Sequence, residues 1–315
     1  MNENFDKYKE YAIKVLNGEI NACRYIKLHC EQFLQWFDDE RYWFDSNECD
    51  KVVNFCESIK LFTDKWADKP VVLMPWQKHF IYCIYGFKLK GTKIRKNRNI
   101  LLFISRKSAK TATAAMILLY EMCSSKGSQV MLVANSAKQS KIAFEMCSNF
   151  ARSLDPKSKL FHRYRDSISI PKIDGKIQIL SSDSSSMDGY NPQAFLCDEA
   201  HEYRDDKIFS TLRNGQGARD NALSIIVTTA GYNKAFLYDY YQNCISDLEG
   251  IKEDNNLLPL LYTLDEDDDW KDIYTDTADE LGLDLDDYSD EEITLSVVVK
   301  AGGAEISDMN GKEFY

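Results

Sequence analysis

Downstream of residue 98 the chain alternates short apolar runs with longer amphipathic stretches. Residues 99–104 (Asn-Ile-Leu-Leu-Phe-Ile) and 128–134 (Ser-Gln-Val-Met-Leu-Val-Ala) have the composition of buried strands. Residues 113–123 and 137–154 carry helical spacing after each of them. Strand, helix, strand, helix at these lengths predicts parallel pairing through right-handed crossovers. Residues 167–170 and 176–180, joined by Pro-Lys-Ile-Asp-Gly, predict a hairpin, and 195–197 and 223–227 predict two more buried strands. Upstream, residues 7–66 read as helices. Tyr11, Val15, Ile20, Cys23, Ile26, Cys30 and Phe33 form one apolar stripe, and Asp50, Val53, Phe55, Ile59 and Phe62 suggest another helix ending near Asp64. Met74-Pro75-Trp76-Gln77 opens a further helix at a proline, a favoured first-turn position. The expected fold is therefore α/β, with a mainly parallel central sheet flanked by helices and preceded by an N-terminal helical region. The expected division is 1–66 helical, 67–262 the α/β domain, and 263–315 an acidic segment without a core of its own.

Composition refines this picture. The 315 residues are 44% hydrophobic and 12% aromatic, as a globular chain requires, and no apolar run approaches the roughly 20 residues of a membrane span. The polar, mixed-charge first ten residues are not a secretory signal. Nine cysteines form no disulfide framework and lack the close CxxC pairs typical of zinc, so they read as buried thiols. The net charge of −11 is localised. Residues 265–292 hold fifteen acidic residues and one lysine, which leaves 38 basic against 35 acidic elsewhere, so overall charge neither favours nor opposes a DNA partner. The aromatic cluster Trp36, Phe37, Tyr42, Trp43 and Phe44 has acidic neighbours, which favours packing over base stacking. Lys88, Lys90, Lys93, Arg95, Lys96 and Arg98 form a basic run entering the first strand. Such a run is usually a solvated face, and beside a nucleotide site it could contact DNA phosphates.

Two stretches carry candidate chemistry. The run 100–104 ends in Ser105-Arg106-Lys107-Ser108-Ala109-Lys110-Thr111, where a strand gives way to a helix. Backbone N–H groups of such a loop and the helix N-terminus can cradle phosphate. Lys110 can reach the β- and γ-phosphates, and the Thr111 hydroxyl can coordinate Mg2+. Ala109 stands where a phosphate loop normally has glycine, tolerable if its φ is negative and costly if left-handed. The second stretch, Ala194 to His201, ends in Asp198-Glu199. The first carboxylate can reach Mg2+ through water, and the second can orient and polarise an attacking water. Thr228-Thr229-Ala230-Gly231 ends the following strand on the same expected sheet edge, where its hydroxyls could sense a γ-phosphate. Gln77 could hold an adenine edge through its amide, or be an ordinary polar helix residue.

In this order the motifs resemble the ATPase portion of tailed-phage terminase large subunits, over about residues 8–262. The matching stretches are Val15 to Cys23, Leu73-Met74-Pro75-Trp76-Gln77, Ser105 to Thr111 with its early arginine, Met187-Asp188-Gly189 before Cys197-Asp198-Glu199-Ala200-His201, and 219–231 ending in Thr-Thr-Ala-Gly. The resemblance implies a P-loop NTPase fold that uses ATP and Mg2+. Gln77 would read adenine; Arg106, Lys107, Ser108, Ala109, Lys110 and Thr111 would hold the triphosphate; Thr111 and Asp198 would serve the metal. Glu199 would be the catalytic base, Thr229 would couple hydrolysis to movement, and Arg106 would stabilise charge on the transferred phosphoryl group. Arg219 is a second candidate arginine, offered to a neighbouring subunit.

Implied partners are double-stranded DNA, a portal protein, a small terminase subunit and further copies in a ring, with no membrane, in the host cytoplasm. Residues 263–315 lack the strand framework of the nuclease that follows the motor in this family, so no nuclease activity is expected. Two other readings compete with an ATP-driven packaging motor: a catalytically inactive subunit that keeps the fold, hinted at by Ala109, and a helicase, suggested by Asp-Glu-Ala-His.

Overall fold

The computed structural model describes residues 6–63, 66–134, 137–180, 189–229 and 236–265. An eight-stranded sheet forms its centre. The strands are β3 (Asn99–Phe103), β4 (Gln129–Ala134), β5 (His162–Arg163), β6 (Ser167–Ile170), β7 (Gly175–Ile179), β8 (Ala194–Asp198), β9 (Leu223–Thr228) and β10 (Leu257–Leu261). Their spatial order is β10-β3-β9-β8-β4-β7-β6-β5. From β10 to β7 every pairing is parallel, while β6 and β5 add antiparallel at one edge. The expected parallel core and the 167–180 hairpin are both present.

Side chains alternate between the two sheet faces, and the alternation divides the core. Ile100, Leu102, Val130, Leu132, Leu196, Ile225 and Val227 share one cluster with the helices upstream of residue 155. Leu101, Met131, Val133, Phe195, Cys197 and Ile226 form the other with residues of α7 (Lys207–Gly215) and α8 (Phe236–Leu248). Strands covered on both faces explain the near-continuous apolar runs in the sequence. Each fully buried Leu or Ile there contributes roughly 1.5–3 kcal/mol. Helix α5 (Lys110–Ser124) is buried from Thr113 to Met122 and α6 (Ala137–Leu154) packs beside it. Among the described residues no helix is long and apolar enough to cross a membrane.

The N-terminal region departs from an all-helical reading. Helices α1 (Asp6–Leu16), α2 (Arg24–Gln35) and α3 (Ser46–Glu57) form, with Asp45 capping α3 through a bond from the Glu48 N–H. Between α2 and α3, Tyr42–Phe44 is a strand, β1, antiparallel to β2 (Phe87–Leu89). Helix α3 stops at Glu57 rather than near Asp64. Val71 N–H donates to Ile59 O at 2.8 Å and Leu61 N–H to Lys69 O at 2.9 Å, so the chain doubles back in a clasp that competes with further helix. Phe62, part of the predicted stripe, instead meets Phe150 of α6 with ring centroids 5.8 Å apart.

Most of the aromatic cluster packs as expected: Phe37 and Phe44 both lie against Phe87, at 4.9 and 5.0 Å between centroids, while Trp43 is exposed and donates from Nε1 to Thr92 O. Strand β10 escaped prediction because Pro259 interrupts an apolar run. It lies at the sheet edge, where a strand tolerates a residue without an N–H.

Candidate phosphate and metal site

Parallel pairing brings the C-terminal ends of β3, β9 and β8 to one edge. Phe103 stands beside Thr228, and Asp198 beside Val227. The loop after β3, the Thr228-Thr229 end of β9 and the Asp198-Glu199 end of β8 therefore converge, although about 90 residues separate loop from acids in sequence. Thr111 Oγ1 donates to Asp198 Oδ2 at 3.1 Å, and Lys110 Nζ lies 3.2 Å from Glu199 Oε1. Both lysine and Asp198 are buried, at 5% exposure each. Ser108 Oγ donates to Ser105 O at 2.8 Å and closes the loop on itself.

Ala109 adopts φ 58, ψ 23 immediately before α5, the left-handed conformation that costs a side-chain-bearing residue roughly 1–2 kcal/mol. Lys107 (φ 62) and Glu199 (φ 50) are left-handed too. Half of the six non-glycine residues with positive φ among the described residues lie in this one site, the pattern of strain held where geometry matters for chemistry. The alanine has not remodelled the loop; it occupies the conformation that a glycine would take freely. Ala109→Gly should therefore raise stability by about 0.5–1 kcal/mol, the relieved strain less the entropy of a freer unfolded chain. That corresponds to an increase of about 2 °C in Tm by thermal unfolding. An unchanged or lower Tm would mean that the loop does not hold Ala109 in the left-handed region.

Electrostatics at the site are dominated by burial. Asp198 has its pKa pushed up to about 6, first by desolvation and then by the neighbouring Glu199, against the opposing pull of Lys110 and Thr111. His201 is shifted down by burial and by the charges of Arg106 and Lys110, opposed by Glu199 and Glu202. His201 Nδ1 is 3.1 Å from Thr228 Oγ1 and 3.3 Å from Glu199 Oε2. The Thr228 hydroxyl donates to Thr229 O, so Nδ1 is the atom that carries the imidazole hydrogen in its bond to Thr228. The contact with Glu199 is electrostatic only, since Oε2 accepts no hydrogen bond.

Three buried polar atoms at this edge have no hydrogen-bond partner: Ser105 Oγ, Glu199 Oε2 and Thr229 Oγ1. Buried polar atoms are normally satisfied, and orphans gathered around a lysine and two carboxylates fit a polyphosphate and its cation. The hydroxyl and carboxylate of Thr111 and Asp198 are hard oxygen donors of the kind preferred by Mg2+, an ion that usually keeps several waters in its shell.

Arg106 and Lys107 are solvent-exposed on the loop, and Arg106 is close enough for its charge to act on His201. Gln77 lies on α4 (Pro75–Tyr85), buried, with its amide engaged at both ends. Oε1 accepts from Met74 N–H and Nε2 donates to Thr113 Oγ1, each at 2.8 Å. Arg219 sits at the opposite sheet edge, donating to Asn191 O, Gln193 Oε1 and Gly127 O; its guanidinium clamps loops of its own chain. The basic run also enters β3 from that opposite edge and is not beside the phosphate loop. A five-residue strand, roughly 16 Å, intervenes. Arg95 is buried in an ion pair with Glu121 at 2.8 Å, Lys96 lies over Trp36, and Lys88 pairs with Asp45. Met187, Asp188, Ala230 and Gly231 lie outside the described residues.

A parallel sheet with a lysine-bearing loop after one strand and an acidic pair after another, two places away, defines a P-loop nucleotide-binding fold. The match to known proteins narrows it. Residues 75–246 fit the family profile "Terminase large subunit, ATPase domain", and the chain belongs to that family. The terminase large subunit of Enterobacteria phage HK97 is 27% identical over 198 residues, 60% of this chain and 38% of that protein. Protein YmfN of Escherichia coli (strain K12) is 40% identical over 86 residues, 27% of this chain and 19% of the relative. The crystal structure of the HK97 large terminase superposes with a TM-score of 0.60 at 22% identity, covering 81% of this chain and 52% of that one. The alignments with the two relatives thus span well under half of each relative's length.

Proposed function

We propose that the chain is the ATP-hydrolysing motor of a DNA-packaging terminase, coupling turnover to movement of double-stranded DNA into a procapsid. The observation that carries this reading is the meeting of loop and acids: Lys110 on Glu199 at 3.2 Å and Thr111 on Asp198 at 3.1 Å. Mg2+, held through Thr111 and Asp198, would supply positive charge to the phosphate oxygens. Lys110 exchanges its partner Glu199 for the β- and γ-phosphates. That exchange frees Glu199 to accept a proton from the attacking water. His201 orients Glu199 from one side while holding Thr228, so that base and strand end move as one unit. Thr229, whose buried hydroxyl has no hydrogen-bond partner, would register the γ-phosphate and couple hydrolysis to movement. Exposed Arg106 can fold over the phosphates to stabilise charge in the transition state. Reading of adenine by Gln77 would require its amide to release Met74 or Thr113.

On this reading the partners are double-stranded DNA, a portal protein, a small terminase subunit and other copies of the chain in a ring, in the host cytoplasm. The domain division at residues 66 and 262 belongs to the same proposal. The described N-terminal helices share a core with the sheet, so they would act as part of the motor. The inactive alternative rests on Ala109, whose left-handed backbone is the costly case, and it is the size of that cost that weighs against it. A strain of roughly 1–2 kcal/mol is small beside the contribution of a positioned lysine and base.

The test is ATP turnover with Mg2+, with and without linear double-stranded DNA, in the wild type and in Lys110→Ala. Wild-type hydrolysis that DNA stimulates and the variant lacks supports a motor. Turnover no higher than that of Lys110→Ala under either condition defeats it.

A further inference from the structure

A second cluster of chemistry-bearing side chains lies away from the phosphate edge, between α2 and α4. His29 comes from α2, and His79 and Cys83 come from α4 one turn apart, so both face the same neighbour. His29 Nε2 and His79 Nε2 are 3.0 Å apart, and Cys83 Sγ is 3.5 Å from each. All three residues are fully buried. We propose that His29, His79 and Cys83 form a structural site for a thiophilic d10 cation, Zn2+ or Cu+, that pins α4 to α2.

Geometry carries the argument. Nitrogen at about 2.0–2.1 Å and sulfur at about 2.3 Å from one tetrahedral metal lie roughly 3.3–3.6 Å from each other, close to the observed triangle. Three ligand atoms from two helices converge here with their donor ends turned inward, which ordinary packing of two imidazoles and a thiol does not require. Without a cation, the close approach of the two Nε2 atoms is a single hydrogen bond that one imidazole donates to the other; Nδ1 of both rings is buried without a hydrogen-bond partner in either case.

The rings are held by packing instead of by outer hydrogen bonds. Phe33 and Tyr11 lie against His79 with centroids 4.5 and 4.7 Å away, and Trp36 meets the edge of His29 at 6.0 Å. Two imidazoles and a thiolate suit both zinc and monovalent copper. Among the described residues no fourth His, Cys, Asp or Glu joins the cluster. Three-coordinate Cu+ would leave the set neutral; Zn2+ would carry one net positive charge beside Lys96, whose charge acts on His29. The cation would fix the helix that also carries Gln77.

The experiment is to refold the full chain anaerobically with Zn2+, Cu+ or Co2+ separately, remove excess metal, and measure bound metal by elemental analysis and native mass spectrometry. Expected is about one equivalent of Zn2+ or Cu+, a thiolate-to-cobalt absorption band, and a Tm about 5 °C above that of the metal-free protein. Cys83→Ser should weaken binding at least tenfold and abolish the cobalt band. Cys30→Ser, a neighbouring buried thiol outside the cluster, should retain both. Which of the two metals survives a matched competing chelator identifies the cation. If Cys83→Ser fails to fold, the wild-type cobalt band and Tm shift still decide. The proposal is overturned if folded wild-type protein retains less than about a tenth of an equivalent of each metal with no Tm shift, or if Cys83→Ser binds as well as wild type.

Discussion

Glu199→Gln should lower ATP turnover by about 10³-fold while nucleotide affinity holds or rises. On the proposed mechanism the loss is that of the general base. An amide keeps the size and left-handed backbone of Glu199 but accepts no proton, and general-base contributions typically lie between about 10² and 10⁴. The affinity effect follows from Lys110. Its buried ammonium is ion-paired with Glu199 Oε1, and phosphate must compete with that carboxylate. Removing a partly exposed pair of this kind frees roughly 0.5–1 kcal/mol, a two- to fivefold tighter Kd. Steady-state turnover and equilibrium binding of a slowly hydrolysed ATP analogue, measured on the same preparation, separate the two effects. Weaker binding in the variant would show that Glu199 holds the nucleotide and is not a resting partner of Lys110. Unchanged turnover would remove Glu199 from the chemistry altogether.

Much of the site was legible because parallel topology converts sequence order into spatial convergence. Strands such as 99–103, 194–198 and 223–228 announced themselves as apolar runs, and parallel pairing brings their C-terminal ends to one edge. What stayed hidden depends on contacts rather than on pattern. The role of His201 requires knowing that Thr228 stands beside it; the motif contains the histidine, but no spacing rule reveals its partner. The sign of φ at Ala109 was equally undecidable, because both outcomes fit the same residues. The basic run shows how composition misleads. Half of it is buried against Glu121, Trp36 and Asp45, serving the core rather than facing solvent or phosphate. Spacing also said little about His29, His79 and Cys83. His79 and Cys83 are four apart on one helix, but His29 lies fifty residues upstream, and only the packing of α2 on α4 unites them.

Asp198→Asn should stabilise the metal-free protein at neutral pH and remove its activity. Burial and Glu199 raise the proton affinity of Asp198 to about 6, so the folded state keeps a proton that the unfolded chain releases near pH 4. The contribution of this group to stability is therefore fully present below about pH 4 and lost as pH rises to about 6. Above that, the folded protein holds a desolvated carboxylate at a cost of about 2–3 kcal/mol. Asparagine does not ionise and can still accept from Thr111, so in EDTA at pH 7.5 the variant should melt about 5 °C higher. The advantage should shrink to nothing as pH falls to 4, which separates a charge effect from a packing effect. With Mg2+ and ATP the order should reverse, because only the wild type gains the stabilisation of a bound cation. Turnover should fall by about 10³-fold if, as proposed, this carboxylate stabilises the metal in the active complex while destabilising the free fold. A Tm difference that does not change between pH 4 and 7.5 would show that Asp198 is solvated in the folded protein. The carboxylate would then be neither strained nor poised for a cation.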